Sequence, residues 1–189
     1  GQPDTNFGDN GRIDLSLGLG REIDKSQYGV VSPPLVTNNR VVVNSIVLDG
    51  GRSKEMPPGH VRAFNPITGE LEWMFKTIPQ AGEFGNDTWE DGSWEYSGNT
   101  NSWTIMSSDD ELGIVYIPIG TPTNDWYGGL RKGDNLFAES LVAVRAEDGE
   151  LLWHFQMVHH GVWDYDLPAA PTLVDITVDG REIKAVAAI

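Results

Sequence analysis

The feature that most constrains this chain is an ungapped internal repeat. Ala63-Phe64-Asn65-Pro66-Ile67-Thr68-Gly69-Glu70-Leu71-Glu72-Trp73 aligns with Ala143-Val144-Arg145-Ala146-Glu147-Asp148-Gly149-Glu150-Leu151-Leu152-Trp153. The shared pattern is Ala, five residues, Gly-Glu-Leu, one residue, Trp. Self-similarity of this kind marks an array of like units, each burying its apolar face against a neighbour. Each copy reads as a strand entering a tight turn, a Gly where the turn needs a positive φ, and a second strand ending in a large aromatic.

Short strands separated by turns flank both copies. One set of four spans Val30 to Val36, Arg40 to Ile46, His60 to Phe64 and Leu71 to Phe75. A second spans Trp103 to Ser107, Gly113 to Ile119, Ser140 to Val144 and Leu151 to Gln156. A third group starts with Ala170 to Asp175 and Ile183 to Ile189. No segment holds a helical period over three turns, so the chain is read as all-β. Groups of four strands are the blades of a β-propeller. The blades are placed at about 30–76 and 102–157, with a partial blade at about 168–189. Two and a half blades cannot close a ring that needs about 4–8. Gly1-Gln2-Pro3 reads as the middle of a turn, and the apolar run Ala185 to Ile189 ends inside a strand. The expectation is a piece of a longer propeller.

Composition excludes several classes. A net charge of −15 leaves no basic face for a phosphate backbone. Zero cysteines remove disulfides, zinc-thiolate sites and cysteine nucleophiles from these residues. No apolar run approaches the ~18 residues that cross a bilayer. The start has neither the basic residues nor the apolar stretch of a signal peptide.

Chemistry concentrates in one run. His159-His160-Gly161-Val162-Trp163-Asp164-Tyr165-Asp166, closed by Leu167-Pro168, brings together imidazoles, carboxylates and aromatic rings. If extended, it points Asp164 and Asp166 to one side and Trp163 and Tyr165 to the other. Two carboxylates on one side suit a hard cation, or a general base beside a metal ligand. A polar turn whose Asp side chains cap backbone is the plainer alternative. His159 and His160 are adjacent and face opposite ways in a strand, and no His-x-His or His-x₃-His spacing supports zinc. Neither a Gly-x-Gly-x-x-Gly fingerprint nor a Gly-x-Ser-x-Gly elbow is present. Trp73 and Trp153 belong to the repeat and read as inter-blade packing. Trp89, Trp94, Trp103, Trp126 and Trp163 fall in polar connections, where an aromatic face suits a planar ligand.

Together these residues resemble the pyrroloquinoline quinone (PQQ)-dependent dehydrogenases, the eight-bladed quinoprotein propellers, and within them the glucose/quinate/shikimate-type branch. The repeats resemble that family's tryptophan-docking motif. The run His159 to Pro168 resembles its His-His-Asp-Leu-Trp-Asp-x-Asp-Leu-Pro segment, and Asn101-Ser102-Trp103 resembles the segment whose Trp stacks on the quinone. By position the resemblance implies Asp164 as catalytic base. It implies Trp103, with Asn101, His160 and Trp163, as cofactor contacts. Thr123, with Thr121 and Asn124 as rivals, falls near the metal, together with Asp49 and Asp166. Gly161 departs from the pattern, standing where the family usually has Asp.

The resemblance further implies PQQ plus a divalent metal, calcium first, with magnesium or a lanthanide as alternatives. It implies oxidation of a sugar, polyol or alcohol hydroxyl, with electrons passed to a quinone or cytochrome, in the periplasm or on the periplasmic face of the inner membrane. Any membrane association would come through parts outside these residues. Two other readings remain: a non-catalytic propeller scaffold of an envelope assembly factor, and a glycosidase-like β-protein using Asp164 and Asp166 as its acid pair.

Overall fold

The computed structural model describes residues 2–51 and 53–189; Gly1, assigned above to the middle of a turn, lies outside them. In chain order the strands are β1 (Tyr28–Gly29), β2 (Leu35–Thr37), β3 (Arg40–Val43), β4 (Ile46–Val47), β5 (Val61–Phe64), β6 (Leu71–Phe75), β7 (Ser107–Asp109), β8 (Ile114–Pro118), β9 (Ser140–Arg145), β10 (Leu151–Gln156), β11 (Thr172–Val178) and β12 (Arg181–Ala187). Helix is confined to short 3₁₀ turns among the described residues, and Glu90–Glu95 is broken by left-handed Asp91 and Gly92. The fold is all-β.

Two four-stranded antiparallel sheets form blades, β2-β3-β5-β6 and β7-β8-β9-β10. Beside them stand the short β1–β4 pair and the β11–β12 hairpin. The repeat is structural down to its register. Ala63 pairs with Trp73 and Phe64 with Leu71, while Ala143 pairs with Trp153 and Val144 with Leu151. Each ladder slips at the same place, and each turn closes alike. Gly69 N donates to Asn65 O and Gly149 N to Arg145 O, both at 2.9 Å.

The repeat also joins the blades. Trp73 Nε1 donates to Ala146 O across 3.0 Å, and the indole lies flat on Gly149. A Cβ added there would come within 2.7 Å of Trp73 Cε3, at a φ of +73°. Only glycine meets both demands cheaply. Around this contact Val42, Val61, Phe75, Val115, Ile117, Phe137, Val142 and Val144 form one continuous core.

Some expected strands are shorter. Pro33-Pro34 keeps the residues before Leu35 out of the ladder, since proline has no N–H to give. Arg40 to Ile46 is split at Asn44-Ser45. Of Trp103 to Ser107, only Ser107 enters β7. The carbonyls of this stretch are taken by side chains of the first blade instead. Ser32 Oγ donates to Trp103 O, and Asn44 Nδ2 to Thr104 O at 2.6 Å.

Antiparallel alternation sends the second and fourth strand of a blade out at the same end. The connections β4–β5, β6–β7, β8–β9 and β10–β11 therefore leave together, and they meet.

Candidate functional site

Backbone hydrogen bonds lace these four connections together. Gly59 N donates to Asn99 O (2.8 Å), Thr100 N to Thr121 O (3.1 Å) and Gly120 N to Asn101 O (2.8 Å). Thr123 N reaches Gly98 O (3.1 Å), and Met157 N reaches Glu139 O (2.9 Å). Asn99 and Thr100 hold φ values of +59° and +51° in succession. That is unfavourable for a β-branched residue, and it persists because the surrounding bonds over-determine it.

At the centre is Asp166. Its Oδ1 accepts from Thr121 N (2.6 Å) and Thr121 Oγ1 (2.9 Å). Its Oδ2 accepts from Trp103 Nε1 (2.6 Å). One carboxylate thus fixes both the Thr121 turn and the plane of the half-buried Trp103 indole. Charge-assisted bonds of this kind are the stronger class.

Asp164, Asp49 and Asp125 complete an acidic group. Partial desolvation holds the Asp164 carboxyl above its ordinary range, with Asp166 adding to the rise. Asp49 is raised by desolvation too, against the Asn99 amide that donates to it at 3.3 Å; Asp164 and Asp166 raise it further. Asp125 is buried and pushed up to about 8, first by burial and then by Asp49, Asp164 and Asp166, with Arg131 opposing. Behind them Glu139, fully buried, is pushed up to about 7 by its own burial. The Arg131 guanidinium beside it works the other way. Buried Arg131 donates to Gly161 O (2.6 Å), Asn124 O (3.0 Å) and Asn135 Oδ1 (2.9 Å).

The structure brings Trp103, Asp164, Asp166, Asp49 and Thr123 to one region and gives other expected residues different surroundings. The run 159–166 is not an extended strand: His160 and Asp164 sit at φ +51° and +56°, so strand alternation does not decide which way its side chains point. His159 and His160 both lean on the same turn. His159 Nδ1 lies 3.5 Å from Asp134 Oδ2, and His160 Nδ1 lies 2.8 Å from Gly133 O. Trp163 is 74% exposed on the rim. Asn101 is buried with its Cα against Gly59, where no Cβ could fit.

Sequence reasoning missed Asp125, Arg131 and Glu139. Arg131, next to Lys132, reads as a surface charge. Glu139 gave the clearest signal: a lone carboxylate set between Leu136-Phe137-Ala138 and the apolar strand Leu141-Val142-Ala143-Val144.

Several buried side-chain oxygens here make no hydrogen bond: Asn99 Oδ1, Thr100 Oγ1, Ser102 Oγ, Thr123 Oγ1, Asp125 Oδ1 and Glu139 Oε2. Buried oxygens without partners are costly. Together with carboxyls whose pKa values are raised first by burial and then by one another, they suit a ligand that brings positive charge. Among the described residues no three His, Cys, Asp or Glu side chains converge closely enough to hold a metal alone. A cation here would need the neutral oxygens and a ligand's own donors as well.

The model for the PQQ family, described as glucose/ethanol/alcohol dehydrogenase, beta-propeller domain, matches residues 1–189. The chain is 37% identical to the quinoprotein glucose dehydrogenase of Gluconobacter oxydans, over 98% of this chain and 23% of that protein. It is 35% identical to the quinate/shikimate dehydrogenase (quinone) of Acinetobacter baylyi, over 95% of this chain and 22% of that protein. Among solved structures, the quinohemoprotein alcohol dehydrogenase ADHIIG of Pseudomonas putida superposes with a TM-score of 0.75 at 29% identity, covering 94% of this chain and 26% of that one. The chain therefore spans about a quarter of the length of these relatives. With the blade pairing, the docking repeat and the family match in agreement, this chain belongs to the PQQ-dependent dehydrogenase family and carries part of its β-propeller domain.

Proposed function

We propose that the protein containing this chain oxidises a sugar, polyol or alcohol hydroxyl with bound PQQ and a divalent metal, passing electrons to a quinone or cytochrome acceptor in the periplasm. The observation that carries this reading is the Trp103–Asp166–Thr121 clamp standing beside a second carboxylate, Asp164. A flat aromatic surface of fixed orientation suits a planar cofactor. A carboxyl of raised pKa next to it suits proton removal from a substrate.

Trp103 would lie against the quinone ring. Asp49, Thr123 and Asp125 would face the metal, whose charge would relieve the unpaired Thr123 Oγ1 and Asp125 Oδ1. When bound, PQQ supplies the hydride acceptor and the metal supplies Lewis acidity. The chain does the rest. Asp164 Oδ accepts the hydroxyl proton, and Asp166 keeps the indole from turning. The Thr121 turn, tied to Asn101 through Gly120, fixes the two halves of the site against each other. Calcium is the metal proposed, with magnesium or a lanthanide as alternatives.

The test is a titration of the full-length protein with PQQ and calcium, followed by dye reduction with sugars and alcohols. Saturable quinone binding with substrate-dependent reduction is expected. A protein that neither binds PQQ nor reduces dye would overturn the reading in favour of a scaffold.

A further inference from the structure

We propose that Glu139 is the positioning residue of the Gly161–Asp166 loop, and that positions 139 and 161 are alternative carriers of one buried carboxylate. The inference rests on the reading of that loop as the one bearing the catalytic base.

Glu139 sits immediately before β9 with a φ of +46° and no exposed surface. Its backbone is spent on both sides: its N–H goes to Gly120 O (3.1 Å), and its carbonyl receives Met157 N (2.9 Å). The residue is thus pinned between the exits of β8 and β10, and its side chain points into the loop. There the Thr121 hydroxyl lies 3.4 Å from Oε1, and the backbone of Gly161 packs against the carboxylate. Thr121 in turn holds Asp166, and Asp166 holds Trp103. Glu139 touches none of the atoms proposed to react, yet the loop carrying them is wrapped around it.

Gly161 shows why the wrapping is tight. A Cβ built on Gly161 would overlap the Glu139 carboxylate, with Oε2, Oε1 and Cδ its three nearest atoms. Buried Arg131, holding the Gly161 carbonyl at 2.6 Å, opposes an outward shift of the loop. An Asp at 161 would carry its carboxyl carbon one bond beyond that Cβ, in the volume Glu139 now fills. The pocket has room for one carboxylate. Glu139 supplies it from the strand side, and position 161 could supply it from the loop side only if residue 139 were small. Arg131 feels Glu139 ahead of Asp125, so removing the carboxylate without replacing it leaves the buried cation with Asp125 as its remaining opposite charge and weakens its compensation.

The experiment uses the full-length enzyme and three variants: Glu139→Ser, Gly161→Asp and the double exchange. Melting midpoint is read without cofactor, and kcat and KM are read with PQQ and calcium saturating. Glu139→Ser should lower kcat about 10²-fold with KM little changed, as expected for a displaced reacting group. Gly161→Asp, with two carboxylates in one pocket, should lower both midpoint and kcat. The double exchange should recover most of both, a coupling far from additive. A double variant no better than the two losses combined overturns the proposal, as does a Glu139→Ser enzyme of undiminished kcat. Recovery of the midpoint without kcat overturns the positioning role. If a single variant does not fold, a folded double exchange supports the shared pocket and an unfolded one refutes it. The cofactor-free midpoint is independent of which residue is the base, so failure of the Asp164 assignment would show separately, in Asp164→Asn.

Discussion

Trp103 Nε1 and Asp166 Oδ2 are 2.6 Å apart, and the two residues come from different connections, β6–β7 and β10–β11. The aromatic surface of the site is therefore oriented from the neighbouring blade connection rather than by its own strand. Trp103→Phe removes the donor, and Asp166→Asn removes the charge. Each should weaken PQQ binding by about 1.5–3 kcal/mol, the worth of a hydrogen bond to a charged group. The double variant should cost little more than either alone. Cofactor titration of the three variants checks this; strictly additive losses would show that the bond does not set the ring's orientation for the quinone.

Asp164→Asn preserves size and removes the proton acceptor. Turnover should fall about 10²–10⁴-fold, with PQQ and metal still bound, because their proposed contacts lie on Trp103, Asp49, Thr123 and Asp125. Single-turnover kinetics at saturating cofactor measure it, and near-normal turnover would remove Asp164 from the mechanism.

A third expectation concerns acid stability. His60 is buried, and its Nδ1 accepts the Thr77 amide at 3.2 Å. Burial, followed by the cations Arg21, Lys76 and Arg62, lowers its pKa from 6.5 to about 3. Between those values the unfolded chain binds the proton and the folded one does not, so stability falls as pH drops below 6.5. The loss approaches about 1.4 kcal/mol per pH unit. His60→Asn keeps an acceptor near Nδ1 without a basic group, so its acid limb should be flatter. Denaturant titrations of full-length wild type and variant across this range decide it; parallel pH curves would contradict the assignment.

Gly149→Ala tests the blade seam. The residue pairs a φ of +73° with a Trp73 contact that a Cβ would invade, whereas Gly113 has a φ of +66° and open space around it. Alanine at 113 should cost about 1 kcal/mol from the backbone alone, and alanine at 149 about 1–3 kcal/mol more, from overpacking. Thermal melts of the two full-length variants give the comparison; equal losses would mean the indole yields freely.

The repeat made the blades legible because Ala, Gly and Trp each answer a local demand: close pairing, a positive φ and a docking face. The pair Asp164 and Asp166 was legible for a similar reason, since carboxylates beside aromatics in a polar turn are unusual. Their division of labour was not. That Asp166 spends both oxygens on Trp103 and Thr121 depends on contacts across 45 and 63 positions of sequence, which spacing does not encode. The expected strand alternation at 163–166 failed because Asp164 adopts a left-handed conformation that pattern reading does not anticipate. Asp125, Arg131 and Glu139 escaped notice because charged residues are normally solvated, and nothing local marks Asp125 or Arg131 as buried. The apolar flanks of Glu139 were the one usable sign.

The seat of Trp73 on Gly149 has a consequence beyond folding. Asp49 and Asn99 hang from strand ends of the first blade, and Thr121 and Asp166 from those of the second, so the gap between the halves of the site is fixed by how closely the blades are drawn together. On the proposed function, a tryptophan and a glycine that take no part in chemistry thereby help set the geometry of the reaction. Loosening this seam is expected to alter the width of the site while each blade keeps its own ladder.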